Sequence, residues 1–203
     1  MKLSIGSGDC KSIMMGKKTK GYQDFVRKFV SDDIQVYNSY ASPIDALRTG
    51  KILEDRFALV LEEGWFVDVK VRSDKFDVMA SSLDFGKMEE GKLVDFIEMK
   101  TMWLTDYLDF VSPIKGDNDK LVAWFKKSAK TYYEQVQWQL YVSELESCQV
   151  CYLAVQSYDD EFNYKVQITE NDYTMFRVKR DQEVIDKILK EVEFFQNIKN
   201  HFK

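Results

Sequence analysis

Three strand-like segments follow one another between Trp65 and Lys100, with helical patterning on both sides of them. Trp65-Phe-Val-Asp-Val-Lys-Val71 alternates in part, Phe76 to Phe85 comes next, and Leu93-Val-Asp-Phe-Ile-Glu-Met-Lys100 is the third. Gly86 to Gly91 reads as a hairpin turn between the last two. Upstream, Tyr22, Phe25, Val26, Phe29 and Val30 recur at i, i+3, i+4, i+7 and i+8, one apolar helix face. Ser42-Pro43 marks a helix start, with Ser as the cap and Pro in the first turn. That helix runs toward Leu61, with Gly50 as its weak point and Gly64 as its end. Downstream, 104–120 reads as loop and helices are expected at 121–128 and 131–145. Strands at 148–156 and 163–168 form a second β pair. The tail from about Glu170 to Phe202 reads as an amphipathic helix, with Val184, Ile185, Ile188, Leu189, Val192, Phe195 and Ile198 on one stripe. The order describes an α/β (α+β) chain: a mixed sheet flanked by helices. A length of 203 residues fits one domain, 1–203, carrying that helix at its end.

Composition removes several function classes. Lys and Arg number 29 against 34 Asp and Glu, a net charge of −5, so this is no basic nucleic-acid coat, although a local basic groove is compatible with it. The only histidine is His201, near the C-terminus. A Ser-His-Asp triad, a histidine-dependent nuclease site or a His-rich zinc site is therefore not expected. A hydrolytic centre must be built from carboxylates, lysines and amides. No apolar run approaches the ~18 residues of a membrane span, and the first residues do not read as a signal peptide. The expectation is a soluble cytoplasmic protein with no membrane partner.

Cys10, Cys148 and Cys151 are an odd set. Cys148-x-x-Cys151 has metal-ligand spacing, but a fourth ligand is missing and the surrounding Val150-Cys-Tyr-Leu-Ala-Val155 reads as a buried strand. Core cysteines are the expectation.

The constellation that can carry chemistry lies on the third strand. Side chains alternate along a strand, so Glu98 and Lys100 share a face. Glu90-x-Lys92 and Asp68-x-Lys70 have the same spacing, but the first falls in the glycine turn and the second has no upstream acid to join it. Glu98 and Lys100 follow Leu83-Asp84 across a hairpin that can bring the two carboxylates together. Two converging carboxylates and a lysine suit Mg²⁺-assisted hydrolysis: the carboxylates hold the cation, and the lysine orients or deprotonates water or meets developing negative charge. An exposed salt bridge on a sheet face is the plain alternative. Thr49-Gly-Lys-Ile-Leu-Glu54 adds a glutamate just before the strands. Tyr132-Tyr-Glu-Gln-Val-Gln-Trp-Gln-Leu-Tyr141 adds a helix with Gln135 and Gln139 on one face.

Together these pieces resemble the lambda exonuclease / YqaJ family of phage recombination nucleases, in the PD-(D/E)XK superfamily. The family pattern runs Ser, then Gly-x-x-x-Glu, Asp, Glu-x-Lys and Tyr-x-x-Gln-Val-Gln. Here it is met by Ser7, Gly50 with Glu54, Leu83-Asp84, Glu98-Met-Lys100 and Tyr132-Tyr-Glu-Gln135-Val-Gln137. Leu83 stands where the pattern has proline. The resemblance implies a restriction-endonuclease-like fold and Mg²⁺-dependent hydrolysis of DNA phosphodiesters, with Mn²⁺ as a substitute. It assigns Asp84, Glu98, the Met99 carbonyl and Glu54 to the metal, Lys100 to the attacking water, and Gln135 to the nucleophile or the scissile phosphate. It implies resection of linear double-stranded DNA from 5′ ends, 3′ single strands for an annealing partner, ring-shaped trimers, and a phage or prophage gene expressed in a bacterial host. Ser7 would meet a phosphate, and the basic cluster Lys17, Lys18, Lys20, Arg27 and Lys28 would line a DNA groove. An endonuclease or RecB-like nuclease on the same scaffold, and a catalytically silent DNA-binding or scaffolding protein, are the alternatives.

Overall fold

The structure is a computed structural model that describes residues 4–30 and 44–201. The expected start at Ser42-Pro43 and the last residue of the expected tail helix, Phe202, lie outside the described residues. In chain order the helices are α1 (Cys10–Ile13), α2 (Lys20–Val30), α3 (Ile44–Phe57), α4 (Leu104–Asp106), α5 (Asn118–Ser128), α6 (Lys130–Ser143), α7 (Asp160–Lys165) and α8 (Gln182–His201). The strands are β1 (Trp65–Arg72), β2 (Ala80–Glu89), β3 (Lys92–Trp103), β4 (Ser147–Val155) and β5 (Tyr173–Lys179).

The five strands form one sheet in sequence order. β1, β2 and β3 are an antiparallel meander, β3 pairs with β4 in parallel, and β4 pairs with β5 antiparallel. The single parallel step follows from connectivity: α5 and α6 lie between β3 and β4, and a crossover of that size returns the chain to run the same way. The mixed sheet flanked by helices is as the sequence implied.

Several boundaries differ. The hairpin turn is only Glu90-Gly91, both at positive φ, the backbone of a tight two-residue turn. Gly86 sits inside β2, where a Cβ would come within 2.8 Å of Val69 and 2.9 Å of Leu93. Phe76 to Met79 are not strand; they fold into the core before β2 starts. The stretch read as loop, 104–120, contains α4, a wide helical turn at Tyr107–Val111 and a tight one at Ser112–Ile114 before α5. The strand expected at 163–168 is absent: Asp159 caps α7 by accepting the Phe162 N–H at 2.7 Å. The second strand of that pair is β5 instead, so the tail helix begins at Gln182 rather than near Glu170.

Three apolar clusters hold the layers together. On one sheet face, Phe96, Val150, Tyr152, Phe176 and Val178 pack with Leu121, Phe125, Tyr133, Val136 and Leu140 of α5 and α6. On the other, Phe85, Ile97, Met99, Cys151 and Leu153 pack with Leu53 and Phe57 of α3. Cys148 belongs to the first of these clusters and Cys151 to the second, so the Cys-x-x-Cys pair is divided between the two faces of β4 as core residues. The third cluster joins α1, α2, α6 and α8 around Phe195 and Trp138. Phe195 makes ring contacts with Tyr22, Phe25 and Phe29 of α2 at 5.0–6.2 Å between centroids.

Phe195 is fully buried and joins α8 to α2. Phe195→Ala is expected to cost about 3–5 kcal/mol and to lower the urea midpoint of unfolding by roughly 1–2 M. A shift below about 0.3 M would mean that α2 is held by other contacts.

Candidate active site

The pairing of β2 with β3 runs from Glu89–Lys92 to Phe85–Ile97 and stops there. Beyond that point β2 keeps its partner β1 as far as Ala80, and β3 keeps its partner β4 as far as Trp103. The sheet therefore opens between β2 and β3, and Asp84 and Glu98 are the first residues of the opening. Groups released from the ladder find other partners, as buried backbone must. The Asp84 carboxylate accepts the Met99 N–H at 2.7 Å. The Ala80 carbonyl accepts the Trp138 indole N–H at 3.1 Å, and the Ser82 carbonyl accepts from Gln139 at 3.4 Å. The N-terminal segment fills the far end: Ile5 donates to the Val78 carbonyl, the Ala80 N–H donates to Ile5, and Ser81 donates to Ser7 at 2.7 Å.

Glu98 is 1% exposed. Lys100 Nζ donates to its Oε1 at 2.5 Å, Gln135 Nε2 donates to the same oxygen at 2.7 Å, and Gln139 Nε2 donates to Oε2 at 2.5 Å. Lys100 also reaches Gln135 Oε1 at 3.3 Å and lies 4.7 Å from the centre of the Tyr132 ring. Tyr132, Gln135 and Gln139 sit at i, i+3 and i+7 of α6, one helix face laid over one strand face. Burial separates this pair from its look-alike. Glu98 and Lys100 are 2% and 16% exposed at the side chain, whereas Asp68 and Lys70, also 2.5 Å apart, are 58% and 67% exposed. Asp68 and Lys70 bind Ser82 at the surface, a solvated pair.

Charge is unbalanced in this site. Two carboxylates face one ammonium, and Glu98 has three donors while Asp84 has one from the backbone. Burial first, then the Glu98 charge, push the Asp84 carboxyl well above its ordinary value of 3.8; Lys100 and the Met99 N–H oppose this and Glu54 adds to it. Burial lowers the Lys100 pKa, but Glu98 and Asp84 outweigh it, and the net direction is upward. Lys100 is thus held as an ammonium. The Gln139 Oε1, also buried, has no hydrogen-bond partner among the described residues.

The other expected residues fall in different places. Glu54, on α3, acts on Asp84 electrostatically, but its carboxylate bonds Lys51 at 3.1 Å. No group of three or more His, Cys, Asp or Glu side chains stands at metal-ligand spacing among the described residues. The donor set at the opening is two carboxylates with the main chain of Met99, which matches a hard cation such as Mg²⁺ that keeps several waters and takes the rest of its ligands from substrate phosphate. Ser7 is buried against Ser81. Lys17 pairs with Glu191 at 3.7 Å and covers the Phe194 ring, both on α8. Arg27 pairs with Asp24, and Lys18 and Lys28 are exposed. These basic residues accompany α2, which packs on α1 and α8 rather than on the strands that hold Asp84 and Glu98. Gln137 is structural: it bridges the Lys179 carbonyl and the Asp181 N–H at 3.1 and 2.7 Å. Gln139 joins Gln135 on Glu98, and its signal was the i, i+4 spacing from Gln135. Tyr132 was legible only as part of that pattern.

No protein-family model matches the sequence, and a search of curated proteins finds no match. Solved structures do match. LHK-Exo, an alkaline exonuclease from Laribacter hongkongensis whose structures include a complex with dAMP, superposes with a TM-score of 0.63 at 16% identity, over 98% of this chain and 90% of that one. A phage-related exonuclease from Haemophilus somnus 129PT gives 0.62 at 17% identity, over 100% and 96%. At such identity the likeness is one of fold: the chain has the fold of these exonucleases.

Asp84→Asn keeps an acceptor for Met99 and removes the repulsion with Glu98. A carboxyl whose pKa is raised by folding contributes full stability below about pH 4 and loses it as pH climbs toward the folded value. The variant, without divalent metal, is therefore expected to match the wild type near pH 4 and to gain several degrees in Tm by pH 8. Thermal unfolding in EDTA across that range checks it. A gain independent of pH, or a loss at pH 8, would contradict the assignment.

Proposed function

We propose that this chain is a metal-dependent deoxyribonuclease that hydrolyses phosphodiester bonds of linear double-stranded DNA from an end, 5′ to 3′, leaving a 3′ single strand for an annealing protein. The observation that carries the proposal is the pair of carboxylates at the opening of the sheet, half-buried Asp84 and buried Glu98, with Lys100 and Gln135 bonded to Glu98. The shared fold with two exonucleases supports it. Nothing in a purely structural role calls for two acids sharing one buried cation, since buried charges need full pairing.

The site fits a divalent cation, and a Mg²⁺ or Mn²⁺ held by Asp84, Glu98 and the Met99 carbonyl, with Glu54 reaching it directly or through water, would supply Lewis-acid polarisation of the phosphate and a more acidic bound water. The remaining work belongs to the chain. Hydrolysis adds water across a P–O bond: the water oxygen joins phosphorus, and its proton ends on the departing sugar oxygen. Lys100, kept protonated by its acidic neighbours, faces the negative charge that grows on the phosphate and donates to the attacking water. Gln135 fixes Glu98 through Nε2 and offers Oε1 on the side of Lys100, so it orients water without adding charge. Gln139 holds the second Glu98 oxygen, and its unpartnered Oε1 is a ready acceptor for a water in the opening. A ring of three copies is the assembly that the family resemblance suggests.

End-labelled linear duplex, with and without a 5′-phosphate, should be digested in Mg²⁺ to mononucleotides, while a closed circle stays intact. Lys100→Ala, in protein shown to be folded, should lower the rate at least about 100-fold and, by leaving buried Glu98 without its cation, should lower Tm as well. Cutting of the circle would point to an endonuclease. No metal-dependent cleavage of either substrate would leave a DNA-binding or scaffolding protein.

A further inference from the structure

Past Lys100, where β3 and β4 end, an open groove of about 730 Å³ runs away from the carboxylates. Five aromatic residues line it, Trp103, Trp124, Tyr132, Tyr152 and Tyr158, among smaller apolar and polar ones. It is continuous with the reaction centre, because Tyr132, one of its walls, is the ring against Lys100. Three of the rings are open to solvent, Trp103 and Tyr158 at 40% exposure and Tyr132 at 45%. Trp103 and Tyr158, from two different segments, meet at 4.6 Å between centroids with their planes tilted by 58°. Tyr152 is buried, and its hydroxyl has no hydrogen-bond partner among the described residues. Tyr152 and Trp124 also serve the core, but a fold that needed Trp103, Tyr132 and Tyr158 only for its core would bury them.

We propose that this groove binds unpaired bases of the DNA strand whose phosphate lies at Lys100. The inference rests on the nuclease reading above and adds a second contact surface to it. Bases in a duplex cover one another's faces, so rings that stand open select nucleotides that have left the stack. The volume lies within the range of pockets for small ligands, ~300–1,000 Å³, room for roughly one or two nucleotides and too little for a duplex. The lining also argues for bases over phosphates. Among the described residues Lys130 is its only lysine or arginine, it is drawn toward Glu134 at 3.6 Å, and Asp106 stands on the same groove. A surface that tracked the phosphate backbone would be basic. Holding the unpaired strand by its bases keeps the adjoining phosphate at Lys100 and opposes re-pairing.

The test uses the full chain carrying Lys100→Ala, so that DNA is not consumed, in Mg²⁺. Fluorescence anisotropy reports its binding of labelled dT12 and of an abasic strand of equal length. The expectation is that dT12 binds at least about fivefold tighter than the abasic strand. Trp103→Ala or Tyr158→Ala should erase that difference, and Trp103→Phe, which can still stack, should restore most of it. The preference should change little between 50 and 200 mM salt, unlike a phosphate-led contact. Equal binding of the two strands, or a preference unchanged in Trp103→Ala, would overturn the groove assignment. Cleavage by the otherwise unaltered protein is measured alongside. Cleavage without base-dependent binding removes the groove and leaves the nuclease; base-dependent binding without cleavage does the reverse; neither binding nor cleavage removes both.

Discussion

Everything in this molecule is arranged around one buried carboxylate. Glu98 lies on a central strand, is 1% exposed, and is matched across the sheet opening by a second acid, Asp84. Burying a carboxylate costs several kcal/mol unless it is paired and hydrogen-bonded. The fold meets that cost with a lysine two residues on and with two glutamines from α6. These partners dictate where α6 must lie, and α6 in turn is the helix around which two of the three apolar clusters form. Asp84 is the part that stays uncompensated, as the direction of its pKa shows.

The opening of the sheet is what makes this arrangement possible. Had β2 and β3 stayed paired to Ala80 and Trp103, Asp84 and Glu98 would sit on a closed sheet, and α6 could not reach the Ala80 and Ser82 carbonyls. The split lets side chains of α6 and the Ile5–Ser7 segment take over ladder hydrogen bonds. It also gives the site its two sides: Asp84 and the N-terminal segment at the β2 edge, and the aromatic groove where β3 and β4 end. Under the proposed function, the stability given up at Asp84 is what allows a cation and a phosphate to be received there, a common trade at functional sites.

Much of this was legible in the sequence, and the failures have physical causes. Glu98 and Lys100 stood out because strand alternation places them on one face of an otherwise apolar segment. The i, i+4 spacing put Gln135 and Gln139 together. What the sequence could not show was where pairing of β2 and β3 ends, since Asp84 bonds a main-chain N–H through its side chain, a contact with no sequence pattern. Within the strand expected at 163–168, Tyr164, Val166 and Ile168 do alternate. Local chemistry prevails there: Asp159 caps a short helix and leaves Phe162 and Tyr164 exposed. β5 was hidden in the same way, because Thr174, Phe176 and Val178 alternate on its buried face but run directly into the apolar stripe of α8. Gln137 and Gln139 of α6 are fully buried, each tied to main chain or carboxylate, a burial that the polar residue types do not announce. The basic cluster near α2 was read as one groove, whereas Lys17 and Arg27 are already engaged with Glu191 and Asp24.

The most direct test of the central claim, that Asp84 and Glu98 together form a cation site, is a Mn²⁺ titration followed by the EPR signal of the free ion. It is run on the metal-free protein and on Asp84→Asn and Glu98→Gln, each first shown to be folded. The account predicts saturable binding by the native chain that weakens at least about tenfold in either variant. Equal binding by all three proteins would place the ion on surface acids elsewhere and would contradict the reading of the sheet opening as a metal-assisted hydrolytic site.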